Sequence, residues 1–128
     1  MEIVGFIVLG IIAVLMLTQL WFQYRMKRLE GTPVPESLQA DSAAASAVLY
    51  YFYSDACGPC RRVSPLVKKL AEERPETVKL IDVAVDPETP RQLGIMGTPS
   101  FVLTKNSLID QILMGPQSEK KLRSLMDN

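Results

Sequence analysis

Residues 47–65, AVLYYFYSDACGPCRRVSP, hold both cysteines of the chain, Cys57 and Cys60, directly behind an aromatic-rich run. Ala47–Tyr53 is apolar throughout and rich in β-formers, the pattern of a strand buried on both faces. From Cys57 to Arg74, Val63, Leu66, Val67, Leu70 and Ala71 recur at helical spacing, with Lys68, Lys69, Glu72 and Glu73 filling the other side. A buried strand therefore runs into an amphipathic helix, and the two cysteines stand at the joint.

Downstream, Val78–Val85 (VKLIDVAV) reads as a second buried strand ended by Asp86-Pro87, and Glu88–Leu93 as a short helix before Gly94. Ser100–Thr104 and Leu108–Met114 are strands joined by the turn Lys105-Asn106-Ser107, hence an antiparallel hairpin. Ser118–Met126 makes a last helix, with Ser118 as N-cap and Leu122, Leu125 and Met126 as its apolar face. The order β-α-β, short helix, β-β-α predicts an α/β domain built on a mixed sheet with helices on both faces.

Upstream, Ile3–Phe22 contains no charged residue, and twenty residues at a rise of about 1.5 Å match the roughly 30 Å of a bilayer's hydrocarbon core. Trp21, Phe22 and Tyr24 follow where an interfacial aromatic belt sits, with Arg25, Lys27 and Arg28 behind them. A cleaved signal is the weaker reading, because the run lacks a basic segment before it and small residues directly after it. The expected organisation is a transmembrane anchor with a basic flank over 1–30, a flexible linker over 31–46 and a folded domain over 47–128. The linker, GTPVPESLQADSAAAS, would reach about 20 to 24 Å as a flexible chain, its alanine-rich part being able instead to form a turn or two of helix. The basic flank places the domain on the cytoplasmic side of a bacterial inner membrane, with a periplasmic domain as the alternative.

Lysine plus arginine balance aspartate plus glutamate at 14 each, and no extended basic patch argues for nucleic acid. Histidine is absent, which removes Ser-His and Cys-His nucleophilic pairs and histidine metal ligands. A zinc site needs four ligands, so two cysteines without histidine do not make one within a single chain. A purely structural disulfide closing so short a loop would constrain the unfolded chain little. Thiol–disulfide exchange fits better, with no cofactor beyond the Cys57–Cys60 pair. Cys57, at the strand-to-helix turn, meets free backbone N–H groups and the positive end of a helix dipole, which stabilise the attacking thiolate. Cys60, one turn on, is the resolving thiol. Gly58 permits the tight turn, Pro59 suits a helix start, and Arg61 and Arg62 add positive charge nearby.

The run Asp55-Ala56-Cys57-Gly58-Pro59-Cys60-Arg61, with Pro65 after it, resembles the active-site helix of the thioredoxin family. Gly94-Ile95-Met96-Gly97-Thr98-Pro99-Ser100-Phe101 resembles that family's cis-proline loop, and Lys105-Asn106 and Gly115 extend the likeness over Ala47–Asn128. The resemblance implies a thioredoxin fold with a minimal four-stranded sheet, a cis Pro99 packed opposite the cysteines, and a Thr98 backbone that pairs with an extended substrate. The Gly-Pro dipeptide implies a reductant that takes electrons from an upstream thiol reductase and passes them to protein disulfides. A non-catalytic adaptor, or an extracytoplasmic enzyme of oxidative folding or cytochrome maturation, are the rival readings.

Three departures from the family stand out. Its first strand and helix have no counterpart in this reading. Ala56 replaces a tryptophan, and Tyr51 takes the place of a buried aspartate, while Asp82 falls where that aspartate's lysine partner sits. The expectation is that Asp82, an acid in an apolar strand, accepts the proton of Cys60 with Tyr51 as its hydrogen-bond partner.

Overall fold

The computed structural model describes residues 1–127. Nine elements follow in order: α1 (Glu2–Leu29), α2 (Glu36–Ala44), β1 (Ala47–Tyr53), α3 (Cys60–Glu73), β2 (Val78–Asp82), α4 (Glu88–Gln92), β3 (Ser100–Lys105), β4 (Leu108–Met114) and α5 (Glu119–Asp127). The strands form one sheet in the order β2-β1-β3-β4. β1 lies parallel to β2, which the α3 crossover requires, and antiparallel to β3; β3 and β4 form the hairpin. Asn106 and Ser107 turn that hairpin with φ of 53° and 63°, the left-handed pair whose twist matches the flanking strands.

The all-apolar run of β1 is explained by its central place, since alternate side chains enter two separate cores. Leu49 and Tyr51 pack with Val63, Val67, Leu70 and Leu122 on the face covered by α3 and α5. Val48, Tyr50 and Phe52 pack with Val34, Leu38 and Leu93 on the face covered by α2 and α4. Ser118 caps α5 as its sequence suggests, its hydroxyl accepting the Lys121 N–H at 3.2 Å.

Two boundaries differ from the periodicity. Helix α3 begins at Cys60 rather than Cys57, because Cys57–Pro59 form the preceding turn. β2 stops at Asp82 instead of Val85: the Asp82 carboxylate accepts the Ala84 N–H at 2.9 Å, and its carbonyl accepts from Val85 and Asp86, so the backbone curls away.

The larger difference lies upstream of β1. Residues 31–46 are not a free tether. Gly31 donates its N–H to the Ile109 carbonyl at 2.6 Å, Ile109 donates to Thr32 at 2.9 Å, and Val34 donates to Ser107 at 3.2 Å, so this strap pairs antiparallel with the start of β4. Helix α2 then crosses the sheet, and Val34 and Leu38 are each only 3% exposed. A helix thus does stand before β1, contrary to the reading that gave it no counterpart. Its composition is polar because, of its nine residues, only Leu38 and Ser42 are buried. The Tyr50 hydroxyl donates to the Leu38 carbonyl at 3.2 Å and so accepts from Ser42, 3.0 Å away.

Candidate active site

The parallel β1–β2 pair ends at one pole of the sheet, where β1 leads into Ser54–Pro59 and α3. The Cys57 N–H donates to the Ser54 carbonyl at 3.1 Å, closing the turn that presents the first cysteine. Cys57 and Cys60 are joined as a disulfide, with Cα atoms 5.3 Å apart. Cys57 is half-buried and Cys60 is 2% exposed. Of the two sulfur-bearing residues, Cys57 is therefore the more accessible from solvent. The Cys60 N–H donates to the Cys57 sulfur at 3.2 Å, and this amide belongs to the first turn of α3, so the electrostatics of that sulfur favour negative charge. Gly58 and Pro59 are exposed between the cysteines, and the Arg61 and Arg62 side chains project into solvent beside them.

Just ahead of β3, whose first residue Ser100 pairs with Phe52 at the end of β1, the Thr98–Pro99 peptide is cis and Pro99 is buried, while Thr98 stays half-buried at the surface. Beside Thr98 opens a groove of about 360 Å³, lined among others by Val83, Pro87, Pro90, Ile95 and Met96. Met96 is 76% exposed. Sequence reasoning passed over this groove; its signal was a large apolar residue standing immediately before Gly97-Thr98-Pro99. Ala56 is exposed ahead of Cys57, so no large side chain walls that flank.

Beneath the cysteines the geometry departs from the sequence reading. The strand register sets Leu80, not Asp82, opposite Tyr51; Asp82 pairs with Tyr53. The Tyr51 hydroxyl lies 2.8 Å from Ser64 Oγ, a residue one turn beyond Cys60 that the sequence reading missed. The Tyr51 ring stacks between Tyr53 and Phe101, at centroid distances of 5.5 and 5.0 Å. Burial pushes the Tyr51 phenol above its ordinary value, against the opposing effect of Ser64, so it stays neutral. Asp82 is half-exposed, and one carboxylate oxygen holds the Ala84 amide. The buried, unpaired acid bonded to Tyr51 is therefore absent. What Asp82 does face is Tyr53, whose phenol is raised by burial and then by the charges of Asp82 and Asp55. Among the described residues no group of three or more His, Cys, Asp or Glu could hold a metal ion.

The family model for thioredoxin matches residues 34–128. The chain belongs to the thioredoxin family. It is 33% identical over 82 residues to the thioredoxin of Listeria monocytogenes, covering 62% of this chain and 80% of that one. It is 35% identical over 79 residues to the thioredoxin of Alicyclobacillus acidocaldarius, covering 60% and 75%. Among solved structures, a thioredoxin variant from Halobacterium salinarum superposes with a TM-score of 0.65 at 30% identity, covering 75% of this chain and 85% of that one. The thioredoxin of Fasciola hepatica gives 0.60 at 27% identity, covering 72% and 86%. The match begins at residue 34, which agrees with the packing of Val34 and α2 into the domain. Thioredoxin-family membership and the close cysteine pair make the protein a thiol–disulfide oxidoreductase, one whose partners are in general protein disulfides and thiol reductases.

Proposed function

We propose that this protein is a membrane-tethered reductase of protein disulfides. The accessibility difference between Cys57 and Cys60 supports the order of events. The Cys57 thiolate attacks one sulfur of the substrate disulfide, forming a mixed disulfide and releasing the other substrate sulfur as a thiolate. Cys60 then loses its proton and attacks the Cys57 sulfur, expelling the second substrate thiolate and leaving Cys57–Cys60 oxidised. Two electrons have passed to the substrate, and a dithiol reductase upstream restores the pair. The extended partner lies along the Thr98 backbone, with a side chain in the groove beside Met96. Asp82 is kept as the proposed acceptor of the Cys60 proton on the sequence reading alone, since it is half-exposed and Tyr51 bonds Ser64 instead.

Tethering is supported by α1. Its 28 residues extend roughly 42 Å, and none is buried. Arg25 lies over the Trp21 ring at 5.4 Å and Arg28 over Tyr24 at 5.7 Å, pairings suited to a headgroup boundary with the domain on the cytoplasmic side.

Incubating Cys60→Ser with a protein disulfide should accumulate a mixed disulfide on non-reducing gels, whereas Cys57→Ser should form none. A trapped complex on Cys57→Ser alone would reverse the roles. For Asp82, single-turnover reduction against pH is decisive: an Asp82→Asn profile identical to wild type would remove it from the mechanism. A membrane-impermeant thiol reagent should spare reduced Cys57 in intact cells, and labelling there would move the domain to the other side.

A further inference from the structure

The groove beside Thr98 is open to a partner on its outer side, and the chain that leads out of α1 packs behind the elements that line it. Its floor and sides come from Val83, from α4 and from the loop 94–98. α4 is five residues long, too short to hold itself by helical hydrogen bonds alone. The loop after it is tied by three bonds of its own: Gly94 donates to the Arg91 carbonyl at 3.1 Å, Ile95 to Pro90 at 2.9 Å, and the Gly97 carbonyl accepts the Ser100 hydroxyl at 2.6 Å.

Residues 29–38 support these pieces from behind at three independent places. Leu29 Cδ1 lies 3.5 Å from where a Cβ on Gly94 would stand, and Gly94 has a φ of +70°, so the loop turns directly against the end of α1. Val34 and Leu38 share an apolar cluster with Leu93, against which Val83 and Ile95, two residues of the groove, are packed. Ser37 Oγ is 2.7 Å from Thr89 Oγ1, and Thr89 donates its hydroxyl to Asp86 at 2.7 Å and its N–H to the same carboxylate at 3.1 Å. Because the Thr89 proton is committed to Asp86, Ser37 is the donor, and α2 grips α4 through an ordered chain of hydroxyls. The strap on β4 fixes where Leu29 and Ser37 sit, since Gly31, Thr32 and Val34 are hydrogen-bonded to that edge.

We propose that Leu29 and Ser37 are positioning residues for protein-disulfide binding, holding α4 and the loop 94–98 so that the groove beside Thr98 is formed before the partner arrives. A preformed groove binds more tightly because the partner need not order the loop. A small disulfide, attacked at Cys57 without entering the groove, gains nothing from this support. The inference rests on the reading of the groove as the partner's seat.

The test uses the full chain, reduced, in detergent micelles or nanodiscs. Single-turnover oxidation by a two-chain protein disulfide is followed over a range of concentrations, giving a half-saturating concentration and a limiting rate, and the same variants are oxidised by a small aromatic disulfide. Ser37→Ala and Leu29→Ala should each raise the half-saturating concentration about fivefold, the scale of one lost hydrogen bond or packing contact, without changing the limiting rate or the small-disulfide rate. Ser37→Thr, which keeps the hydroxyl, should restore wild-type values. Met96→Glu, within the groove itself, should also raise the half-saturating concentration. If Met96→Glu does so and the other two do not, the positioning role is wrong and the groove reading survives. If Met96→Glu changes nothing, the groove reading fails and takes the inference with it. If Ser37→Ala and Leu29→Ala slow the small disulfide equally, they merely loosen the fold, and the proposal is overturned.

Discussion

Tyr50 and Tyr51 are neighbours on β1, and each holds a helix on a different face of the sheet. Tyr51 reaches α3, the helix that carries Cys60, and its hydroxyl meets Ser64 near the surface. Tyr50 reaches α2, and its hydroxyl sits between the Leu38 carbonyl and Ser42, a serine only 3% exposed. The α3 face is held mainly by aromatic and aliphatic packing over a 14-residue helix. The α2 face is held by a nine-residue helix with few apolar contacts, so its polar bonds carry a larger share. A face built on packing tolerates the loss of a hydroxyl, and a face built on buried polar bonds does not.

The largest effect should come from removing the packing on the α3 side. Tyr51→Ala deletes a ring stacked against Tyr53 and Phe101, and should lower unfolding free energy by about 3 to 5 kcal/mol in urea titrations. A loss well under that range would mean the two faces do not differ as described. The hydroxyls come next. Tyr50→Phe leaves the buried Ser42 hydroxyl without its Tyr50 partner and strips the second bond from the Leu38 carbonyl, and should cost about 1 to 3 kcal/mol, whereas Tyr51→Phe leaves only half-exposed Ser64, which water can serve, and should cost about 0.5 to 1.5 kcal/mol. The reverse order in matched denaturation curves would break the comparison.

Both phenols are raised by burial, Tyr50 helped by the nearby charge of Asp41. A raised folded-state value means that the folded protein holds its proton where the unfolded chain releases it. The associated stability is therefore complete below the unfolded value of about 10 and is lost as pH rises past it. Urea midpoints should fall above that pH, and each Tyr→Phe substitution should flatten the fall. The smallest effect concerns Arg123, which bonds Glu73 on α3 at 3.0 Å and Glu119 on α5 at 2.8 Å, all at the surface. Arg123→Ala should shift the urea midpoint least of these substitutions, and less again in high salt.

The elements easiest to read were those whose pattern is local and repeated. α3 shows a clean apolar stripe, the β3–β4 hairpin is marked by its Asn-Ser turn, and the CGPC run sits where strand meets helix. α2 was hidden because ESLQADSAA buries only Leu38 and Ser42, too few for a stripe. The groove was hidden because Val83, Pro90, Ile95 and Met96 come from a loop, a short helix and a turn that share no period.

The sequence by itself determined the chemistry. Two cysteines one helical turn apart, behind a buried strand and without a histidine in the chain, favour thiol–disulfide exchange, and the resemblance of Gly94–Phe101 to the cis-proline loop of the thioredoxin family adds the second motif that makes the reading specific. Tertiary structure alone decided the company those residues keep. Leu80 and Asp82 lie on one side of β2, since strand side chains repeat every two residues, so periodicity cannot say which of them faces Tyr51; the register does. It likewise decided that residues 31–38 lie against β4 and α4 instead of hanging free, because those bonds join segments some fifty to eighty residues apart, where no local pattern reaches.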